Sequence, residues 1–402
     1  MLDKLIAQDN LYSMATYARN RVCFTEGRGA VLFDTDGREY IDFAAGIGVN
    51  SLGYQDPDWV QAVSRQAQKL AHISNLFYNE QAVCLAEMLV TAAAGMKKAF
   101  MCNSGAEANE GAIKIARKYS FDKYGRQDRG TILTLKNSFH GRTIATLSAT
   151  GQDSFHQYFY PFPQGFCSVE AGEIQLLHAA CTDDVCAIMF ECVQGEGGVL
   201  PLEKDFVSAL AAYAKERDIL LICDEVQTGI GRTGSLFCYE QYGILPDIVT
   251  AAKGLAGGLP IGAVLAGESC QDVLQPGQHG STFGANPVAC AAAQIVLKKV
   301  SEPDFLRQVC EKGEYIRRAL LEDKSLGVVE VRGLGLMLGI DISGVETKDL
   351  ILALLANGIV ALSAKTSLRL LPPLVISHEQ IEKGIEIIKR TIFELRNGNK
   401  SE

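Results

Sequence analysis

The chain has 402 residues, of which 48% are hydrophobic and 21% charged, proportions typical of a globular enzyme and not of a disordered chain. The net charge of −9 excludes a broadly basic surface, so we expect no nucleic-acid partner and no membrane partner. No basic stretch followed by an apolar one marks an export signal, and the 12 scattered cysteines contain no Cys-x-x-Cys pair. We therefore expect a cytoplasmic protein with neither a zinc site nor a disulfide framework.

The N-terminal part begins with weakly patterned residues up to Arg28. Residues 31–43 then alternate between apolar and polar on either side of Asp36-Gly37, which predicts a β-hairpin. Helices are predicted over 57–71, where Asp56 precedes a proline at the first helical position, and over 79–93.

From residue 97 onward, short apolar strands alternate with helical stretches. This alternation predicts a mostly parallel sheet covered by helices on both faces. The predicted strands are 99–102, 131–135, 185–190, 219–223, 248–251 and 261–266. Ligands of such sheets bind beyond the carboxyl ends of the strands, so motifs that directly follow a strand are the candidates for a site.

A smaller α/β unit is predicted at the C-terminus, after an alanine-rich helix that starts at Asn286-Pro287. Its predicted helices begin near 303, lie around 349–356 and begin at 378, and its predicted strands are 328–331, 336–340 and 368–370. We expect an N-terminal segment (1–45) that packs on a small C-terminal domain (291–402), and a large domain (46–290) between them.

Lys253 is the only ionisable residue between Ile248 and Gly267. Burial among apolar residues and glycines lowers the pKa of a lysine, and a neutral amine attacks carbonyl groups to form imines. A surface lysine whose stem lies on apolar residues is the alternative. A membrane span is disfavoured because the stretch contains five glycines and Pro260.

Asp224 follows the apolar run 220–223, which reads as a buried strand with a carboxylate at its C-terminal end. A lysine that forms a Schiff base and an aspartate that pairs with a pyridinium nitrogen are the two protein groups that pyridoxal phosphate requires. Lys253 and Asp224 therefore make pyridoxal phosphate the first candidate for a cofactor.

A capping box at Ser104 and Glu107 follows the first predicted strand of the sheet. The small residues Gly105 and Ala106 would let a phosphate group approach the free amides of the helix N-terminus. Helix capping without any ligand is the alternative.

Two more strand ends carry polar or aromatic residues. After 131–135, Phe139 has the chemistry to stack on a ring and Arg142 to grip a carboxylate, although a surface arginine beside a turn is the alternative. After 185–190, Glu196 lies among glycines that let a carboxylate move, with a solvated charge as the alternative.

A GxGxxG pattern at 229–234 makes a nicotinamide-dependent dehydrogenase the rival hypothesis. A dinucleotide fingerprint requires the strand to run straight into the glycine turn and a helix to follow. Asp224 and Glu225 interrupt the strand first, and no clear helix follows, so we expect no dinucleotide site here.

In combination, these motifs resemble the class III (fold type I) pyridoxal phosphate aminotransferases over residues 17–373. The matching segments are GRGAVLFDTDGREYIDF (27–43), CNSGAEANE (102–110), FHGRT (139–143), QGEGG (194–198), DEVQTGIGRTG (224–234), KGLAGGLPIGA (253–263), GSTFGANP (280–287) and LRLLPP (368–373). Each segment alone is moderately specific, and all eight in order are highly specific.

The resemblance implies a role for each matching residue. Lys253 resembles the lysine that forms the Schiff base and carries the proton, and Asp224 resembles the residue that keeps the ring nitrogen protonated. Gln227 resembles the partner of the ring hydroxyl, and Phe139 and Val226 resemble the pair that covers the two faces of the ring.

The resemblance also assigns Ser104, Gly105 and Ala106 to the phosphate site. Thr282 matches a threonine that reaches the phosphate from the neighbouring subunit. A homodimer with its active site at the subunit interface is therefore implied.

For the substrates, Arg369 resembles the arginine that binds the α-carboxylate of glutamate and 2-oxoglutarate. Glu196 resembles the carboxylate that pairs with this arginine when the other amino donor is bound, and Arg142 and Tyr17 resemble the groups that hold the distant carboxylate of that donor. The implied reaction transfers the δ-amino group of N-acetylornithine to 2-oxoglutarate in arginine biosynthesis, with no metal.

Two departures from the family bear on the substrate. The chain has Gly-Tyr-Gln-Asp-Pro at 53–57 where relatives often have Gly-His-x-His-Pro, and it lacks the tyrosine that ornithine aminotransferases tend to carry near Gly46. The second departure favours an acylated substrate. Succinylornithine, succinyldiaminopimelate, ornithine and 4-aminobutyrate remain alternative donors, and a non-catalytic cofactor-binding protein is disfavoured because both Lys253 and Asp224 are retained.

Overall fold

The computed structural model describes residues 1–398, so that 399–402 of the predicted C-terminal domain lie outside the described residues. The helices are α1 (Leu2–Tyr12), α2 (Ala45–Gly48), α3 (Pro57–Lys69), α4 (Glu80–Ala92), α5 (Gly105–Tyr124), α6 (Ile144–Ala149), α7 (Ile174–Ala180), α8 (Lys204–Glu216), α9 (Tyr239–Tyr242), α10 (Pro287–Val300), α11 (Pro303–Glu322), α12 (Thr347–Ala356) and α13 (His378–Gly398). Short 3₁₀ turns occur at Asp153–Phe155, Lys253–Ala256 and Lys324–Leu326.

The strands are β1 (Phe24–Arg28), β2 (Val31–Asp34), β3 (Glu39–Asp42), β4 (Met96–Cys102), β5 (Thr131–Leu135), β6 (Phe166–Val169), β7 (Val185–Phe190), β8 (Val193–Gln194), β9 (Leu200–Pro201), β10 (Leu220–Asp224), β11 (Ile248–Ala251), β12 (Gly262–Gly267), β13 (Val328–Leu334), β14 (Met337–Ile342), β15 (Ile359–Val360), β16 (Leu362–Ala364) and β17 (Ser367–Leu370).

The central sheet has seven strands in the order β4-β12-β11-β10-β7-β5-β6. Its strands pair in parallel except β12, which runs antiparallel to both neighbours. Every residue of β7, β10, β11 and β12 is buried, as expected when helices cover both faces of a sheet. The predicted mostly parallel α/β architecture is therefore confirmed. The edge strand β6 was not predicted, because only Val169 in it is buried and its apolar pattern is weak.

Side-chain caps mark the predicted helix starts. The side chain of Asp56 accepts a hydrogen bond from the backbone N–H of Trp59, and Asn79 and Asn286 cap α4 and α10 in the same way. Each cap satisfies a backbone N–H that has no partner within the helix. These three starts are confirmed.

The predicted hairpin is also confirmed, with β2 and β3 antiparallel around the turn at Asp36-Gly37. It belongs to a four-stranded sheet in which β3 pairs in parallel with β15 from the C-terminal part of the chain. A third sheet, β13-β14-β17-β16, forms the rest of the C-terminal unit together with α11, α12 and α13. The N-terminal helix α1 was not predicted and contains no buried residue.

All 12 cysteines are free, and eight of them are buried, as expected for small apolar side chains. Across residues 1–398, no helix combines the length and the apolar character needed to span a membrane.

Candidate active site

A cavity of about 390 Å³ lies beyond the carboxyl ends of β4, β5, β10 and β11. The loop that leads into the antiparallel strand β12 closes it, since that strand begins at this edge of the sheet. The lining includes the predicted residues Ser104, Gly105, Ala106, Phe139, Arg142, Asp224, Val226, Gln227 and Lys253. A larger open groove of about 1030 Å³ runs along α5, but none of the predicted site residues lines it.

Lys253 follows β11 and begins a 3₁₀ turn at the cavity. Burial lowers the pKa of its ammonium group to about 8, against the attraction of Glu196 and two other carboxyl groups. Its backbone φ of 38° lies in the left-handed region, a conformation that costs a non-glycine residue about 1–3 kcal/mol. A strained backbone and a lowered amine pKa at one residue are typical of a reactive lysine.

Asp224 is held by a set of short hydrogen bonds. Its Oδ2 accepts a bond of 2.7 Å from Nδ2 of Asn109 and lies 2.7 Å from Nδ1 of His140, and its Oδ1 accepts a bond of 3.0 Å from the backbone N–H of Val226. Because a carboxylate has no hydrogen to donate, His140 donates from Nδ1. Nε2 of His140 then has no partner within residues 1–398.

Asn109 connects this carboxylate to the helix that begins at the cavity. It lies on the buried face of α5, donates a second bond of 2.7 Å to the backbone oxygen of His140, and accepts one of 2.7 Å from Thr250. Neither Asn109 nor His140 was among the predicted site residues. A polar residue at a buried position of α5 is a signal that can be read from its apolar neighbours.

The predicted start of α5 is confirmed in part. Oγ of Ser104 accepts a bond of 3.1 Å from the N–H of Glu107, as in a capping box. The reciprocal bond is displaced by one residue, because the carboxylate of Glu107 accepts from the N–H of Asn103 at 2.6 Å. A Cβ atom at Gly105 would lie 2.7 Å from Cγ1 of Val226, so the residue must be glycine for the two walls of the cavity to approach.

Glu196 and Arg369 form an ion pair of 2.8 Å between Oε1 and Nη1. The side chain of Arg369 is 4% exposed and that of Glu196 is 25% exposed. Burial opposes ionisation of Glu196, but the charge and hydrogen bond of Arg369 outweigh it and lower the pKa of Glu196. The structure thus brings together two residues that are 173 positions apart in the sequence.

Arg142 lies exposed at the mouth of the cavity and packs on two aromatic rings. Its guanidinium carbon is 4.1 Å from the ring centre of Phe155 and 5.4 Å from that of Phe139. Arg142 thus places a guanidinium group in the lining of the cavity.

Tyr17 and Thr282 do not line this cavity. Tyr17 is 74% exposed and faces a separate surface cavity formed with residues of α1. Thr282 is exposed in the loop before α10. Both residues are exposed on this chain. Their predicted contacts with a substrate and with a phosphate group therefore require another chain or a movement of these segments.

The glycines of the pattern at 229–234 allow this turn to pack closely against α10 and α11. A Cβ atom at Gly231 would lie 2.3 Å from Val300 of α10, and one at Gly234 would lie 2.1 Å from Cys310 of α11. The short helix α9 that follows has four residues and does not start at the glycines. The dehydrogenase hypothesis is therefore wrong, because the dinucleotide fingerprint places its pyrophosphate at the start of a helix.

The residues at the cavity fit pyridoxal phosphate. The N-terminus of α5 can bind a phosphate group. The buried, hydrogen-bonded carboxylate of Asp224 can pair with the ring nitrogen, and the amine of Lys253 can form the Schiff base. Nε2 of Gln227 is buried and, apart from an interaction with the carboxylate of Glu196, has no partner within residues 1–398, so it is a donor available to a ligand oxygen once Glu196 moves.

Comparison with known proteins agrees with this geometry. Residues 13–392 match the family described as aminotransferase class-III. The chain is 51% identical to a protein named acetylornithine aminotransferase from Haemophilus ducreyi, over 98% of this chain and 99% of the relative. A relative of the same name from Caldanaerobacter subterraneus is 46% identical over 98% and 100%.

Solved structures give the same result. The crystal structure of N-acetylornithine aminotransferase from Stenotrophomonas maltophilia superimposes with a TM-score of 0.85 at 35% identity, covering 98% of this chain and 100% of that one. The ornithine aminotransferase of Toxoplasma gondii superimposes with a TM-score of 0.94 at 31% identity, covering 99% and 96%. The family match over residues 13–392 and the relatives at 51% and 46% identity over nearly the full length show that the chain belongs to the class III aminotransferases.

Proposed function

We propose that the protein transfers the δ-amino group of N-acetylornithine to 2-oxoglutarate, producing N-acetylglutamate semialdehyde and glutamate in arginine biosynthesis. The observation that carries the proposal is the Glu196–Arg369 ion pair beside Lys253. A reaction with two dissimilar amino donors needs an arginine that is available to one donor and neutralised for the other. The curated relatives at 51% and 46% identity carry the name of this activity.

Pyridoxal phosphate is the cofactor of the proposed reaction, and when bound it supplies an electron sink next to the substrate carbon. Asp224 keeps the ring nitrogen protonated, and Gln227 donates to the ring hydroxyl. Phe139 and Val226 cover the two faces of the ring. Lys253, with its pKa near 8, would hold the cofactor through its amine and would carry the proton at the substrate carbon.

The phosphate group binds at Ser104, Gly105 and Ala106, at the positive N-terminal end of α5. Thr282, exposed on this chain, reaches the phosphate in the site of the neighbouring subunit. This assignment makes the protein a homodimer with its active sites at the interface.

The substrate carboxylates bind to arginines. Arg369 holds the α-carboxylate of glutamate after Glu196 moves away, and it stays paired with Glu196 when N-acetylornithine is bound. Arg142, at the cavity mouth, holds the distant carboxylate of N-acetylornithine together with Tyr17.

We also propose the division into an N-terminal segment (1–45), a large domain (46–290) and a small domain (291–402). It is supported by the separate sheets and by the pairing of β3 with β15, which attaches the N-terminal segment to the C-terminal unit. A cytoplasmic location is supported by the 12 free cysteines.

A panel of amino donors tests the substrate. N-acetylornithine, succinylornithine, succinyldiaminopimelate, ornithine and 4-aminobutyrate are each supplied with 2-oxoglutarate, and kcat/KM is measured for each. We expect the highest value for N-acetylornithine. Ornithine is the second candidate, since the structural similarity to ornithine aminotransferases is high, and a higher kcat/KM with ornithine would overturn the proposal.

A further inference from the structure

Glu191 is a buried carboxyl group to which the proposed reaction gives no role. It directly follows β7 and is 2% exposed. Its Oε2 accepts a hydrogen bond of 2.9 Å from the backbone N–H of Phe139, and the backbone N–H of Gly195 also donates to the carboxyl group. Glu191 therefore connects the turn of the ring-covering Phe139 to the turn that carries Glu196.

The charges that act on Lys253 are unequal in number. Three carboxyl groups, Glu191, Glu196 and Asp224, favour its charged form, and one cation, Arg369, opposes it. Arg369 is paired with Glu196 and Asp224 receives N–H donors, whereas Glu191 has no ion-pair partner within residues 1–398.

The groups that face Glu191 oppose its ionisation overall. Burial and the charge of Asp224 raise the pKa of Glu191 well above its usual value, and the N–H groups of Phe139 and Gly195 and the charge of Lys253 offset only part of this. The neighbouring thiol of Cys192 is directed to another cysteine, 3.7 Å away, and not to this carboxyl group.

We propose that Glu191 is a neutral carboxylic acid that positions the Phe139 turn against the Glu196 turn. A neutral group can accept from two backbone N–H groups without placing a third negative charge beside Lys253. A third charge would favour the ammonium form of Lys253 and so reduce its reactivity. The inference rests on the proposed function for the roles of Phe139 and Glu196, but its main test does not use the reaction.

The test is equilibrium unfolding of the cofactor-loaded, full-length enzyme by denaturant, for wild type and Glu191→Gln, between pH 5 and pH 8. An unfolded glutamate ionises above a pKa of about 4.3, so a carboxyl group that is neutral in the folded protein must take up a proton on folding. Its contribution to stability therefore falls as pH rises toward its folded-state pKa. Glutamine takes up no proton, so the unfolding constant of wild type relative to Glu191→Gln should rise about tenfold per pH unit until the pH reaches the folded-state pKa of Glu191.

Glu196→Gln is the matched control, since Glu196 lies in the neighbouring turn and also acts on Lys253. The pKa of Glu196 is lowered, so its stabilising contribution is fully present above the unfolded pKa and is lost only as pH falls through the folded pKa. The unfolding constant of Glu196→Gln relative to wild type should therefore be constant between pH 5 and pH 8. A constant ratio for Glu191→Gln as well would overturn the neutral state of Glu191.

Glu191→Ala tests the positioning role, because it removes the acceptor for the Phe139 N–H, which Glu191→Gln retains. We expect Glu191→Ala to bind pyridoxal phosphate about tenfold more weakly than Glu191→Gln, the scale of one buried hydrogen bond. Equal affinities would overturn the positioning role. If Glu191→Gln does not fold, Glu191→Ala replaces it in the unfolding series, since alanine does not titrate either. A failure of the amino-donor panel with the pH slope intact would overturn the proposed reaction and leave the state of Glu191 established.

Discussion

Asp224 and Glu196 both act on Lys253, yet the protein holds them in opposite ways. Asp224 ends a central strand, and three N–H groups surround its carboxylate. Glu196 lies between glycines, has one ion pair to Arg369, and its side chain is 25% exposed. In the proposed reaction, the fixed charge of Asp224 serves the cofactor and the less constrained charge of Glu196 serves the two alternating substrates.

Replacement of Lys253 by alanine removes the group on which both carboxylates act, and it has the largest expected effect. Without the amine, proton transfer at the substrate carbon loses its base, so both half-reactions should fall below detection while cofactor remains bound through its phosphate. Single-turnover absorbance spectra and the cofactor content measure this. The control is Lys204→Ala on the exposed face of α8, and turnover near wild type in Lys253→Ala would refute the assignment.

The Asp224→Ala variant removes the carboxylate that three N–H groups hold in place. Loss of a preorganised electrostatic group reduces rates by roughly 10²-fold or more. Because the charge serves the cofactor, kcat/KM should fall by similar factors with N-acetylornithine and with glutamate. A loss of less than about tenfold would mean that Asp224 is only a strand-end residue.

The Arg369→Ala variant removes the ion-pair partner of Glu196, and its effect on the rate should depend on the substrate. Removing one partner of a buried charge pair costs about 2–5 kcal/mol, which should appear in the glutamate half-reaction. The N-acetylornithine half-reaction should be affected less, because there Arg369 stays paired. Arg317→Ala is the control, since this arginine donates to backbone oxygens within the C-terminal unit and should not separate the two half-reactions.

The Glu196→Ala variant removes the carboxylate that pairs with Arg369, and of the four variants it should change the reaction rates least. Arg369 is then permanently free, so the glutamate half-reaction should improve relative to the N-acetylornithine half-reaction. The ratio of the two single-turnover rate constants measures this, with Glu203→Ala as an exposed control nearby. If Glu196→Ala and Arg369→Ala reduce both half-reactions in equal proportion, the exchange of partners is wrong.

The sequence predicted the central sheet well because its strands are apolar runs and the motifs follow them directly. It missed the first helix, α1, which buries none of its residues on this chain. The antiparallel direction of β12 was not predicted either, because an apolar run carries no information on direction.

For the site, the family motifs include most of the residues proposed to contact a ligand and also Asn109 and His140, but a role was assigned only to the former. Asn109 and His140 were missed because their partner Asp224 lies about 80 or more positions away along the chain. Glu191 was missed although it carries the signal that identified Asp224, a carboxylate directly after an apolar strand. A carboxylate directly after an apolar strand therefore marks a candidate site residue at any strand of such a sheet.

The helix α5 also sets the distance between the phosphate site and the carboxylate of Asp224. Its first turn binds the phosphate in the proposed complex, and Asn109, a little more than one turn further on, holds the carboxylate that faces the ring nitrogen. Both ends of the cofactor are thus located from one rigid element, whose length per turn does not vary. Analogues with an extended phosphate arm cannot satisfy both ends at once, so the protein should select the cofactor by its length as well as by its charge.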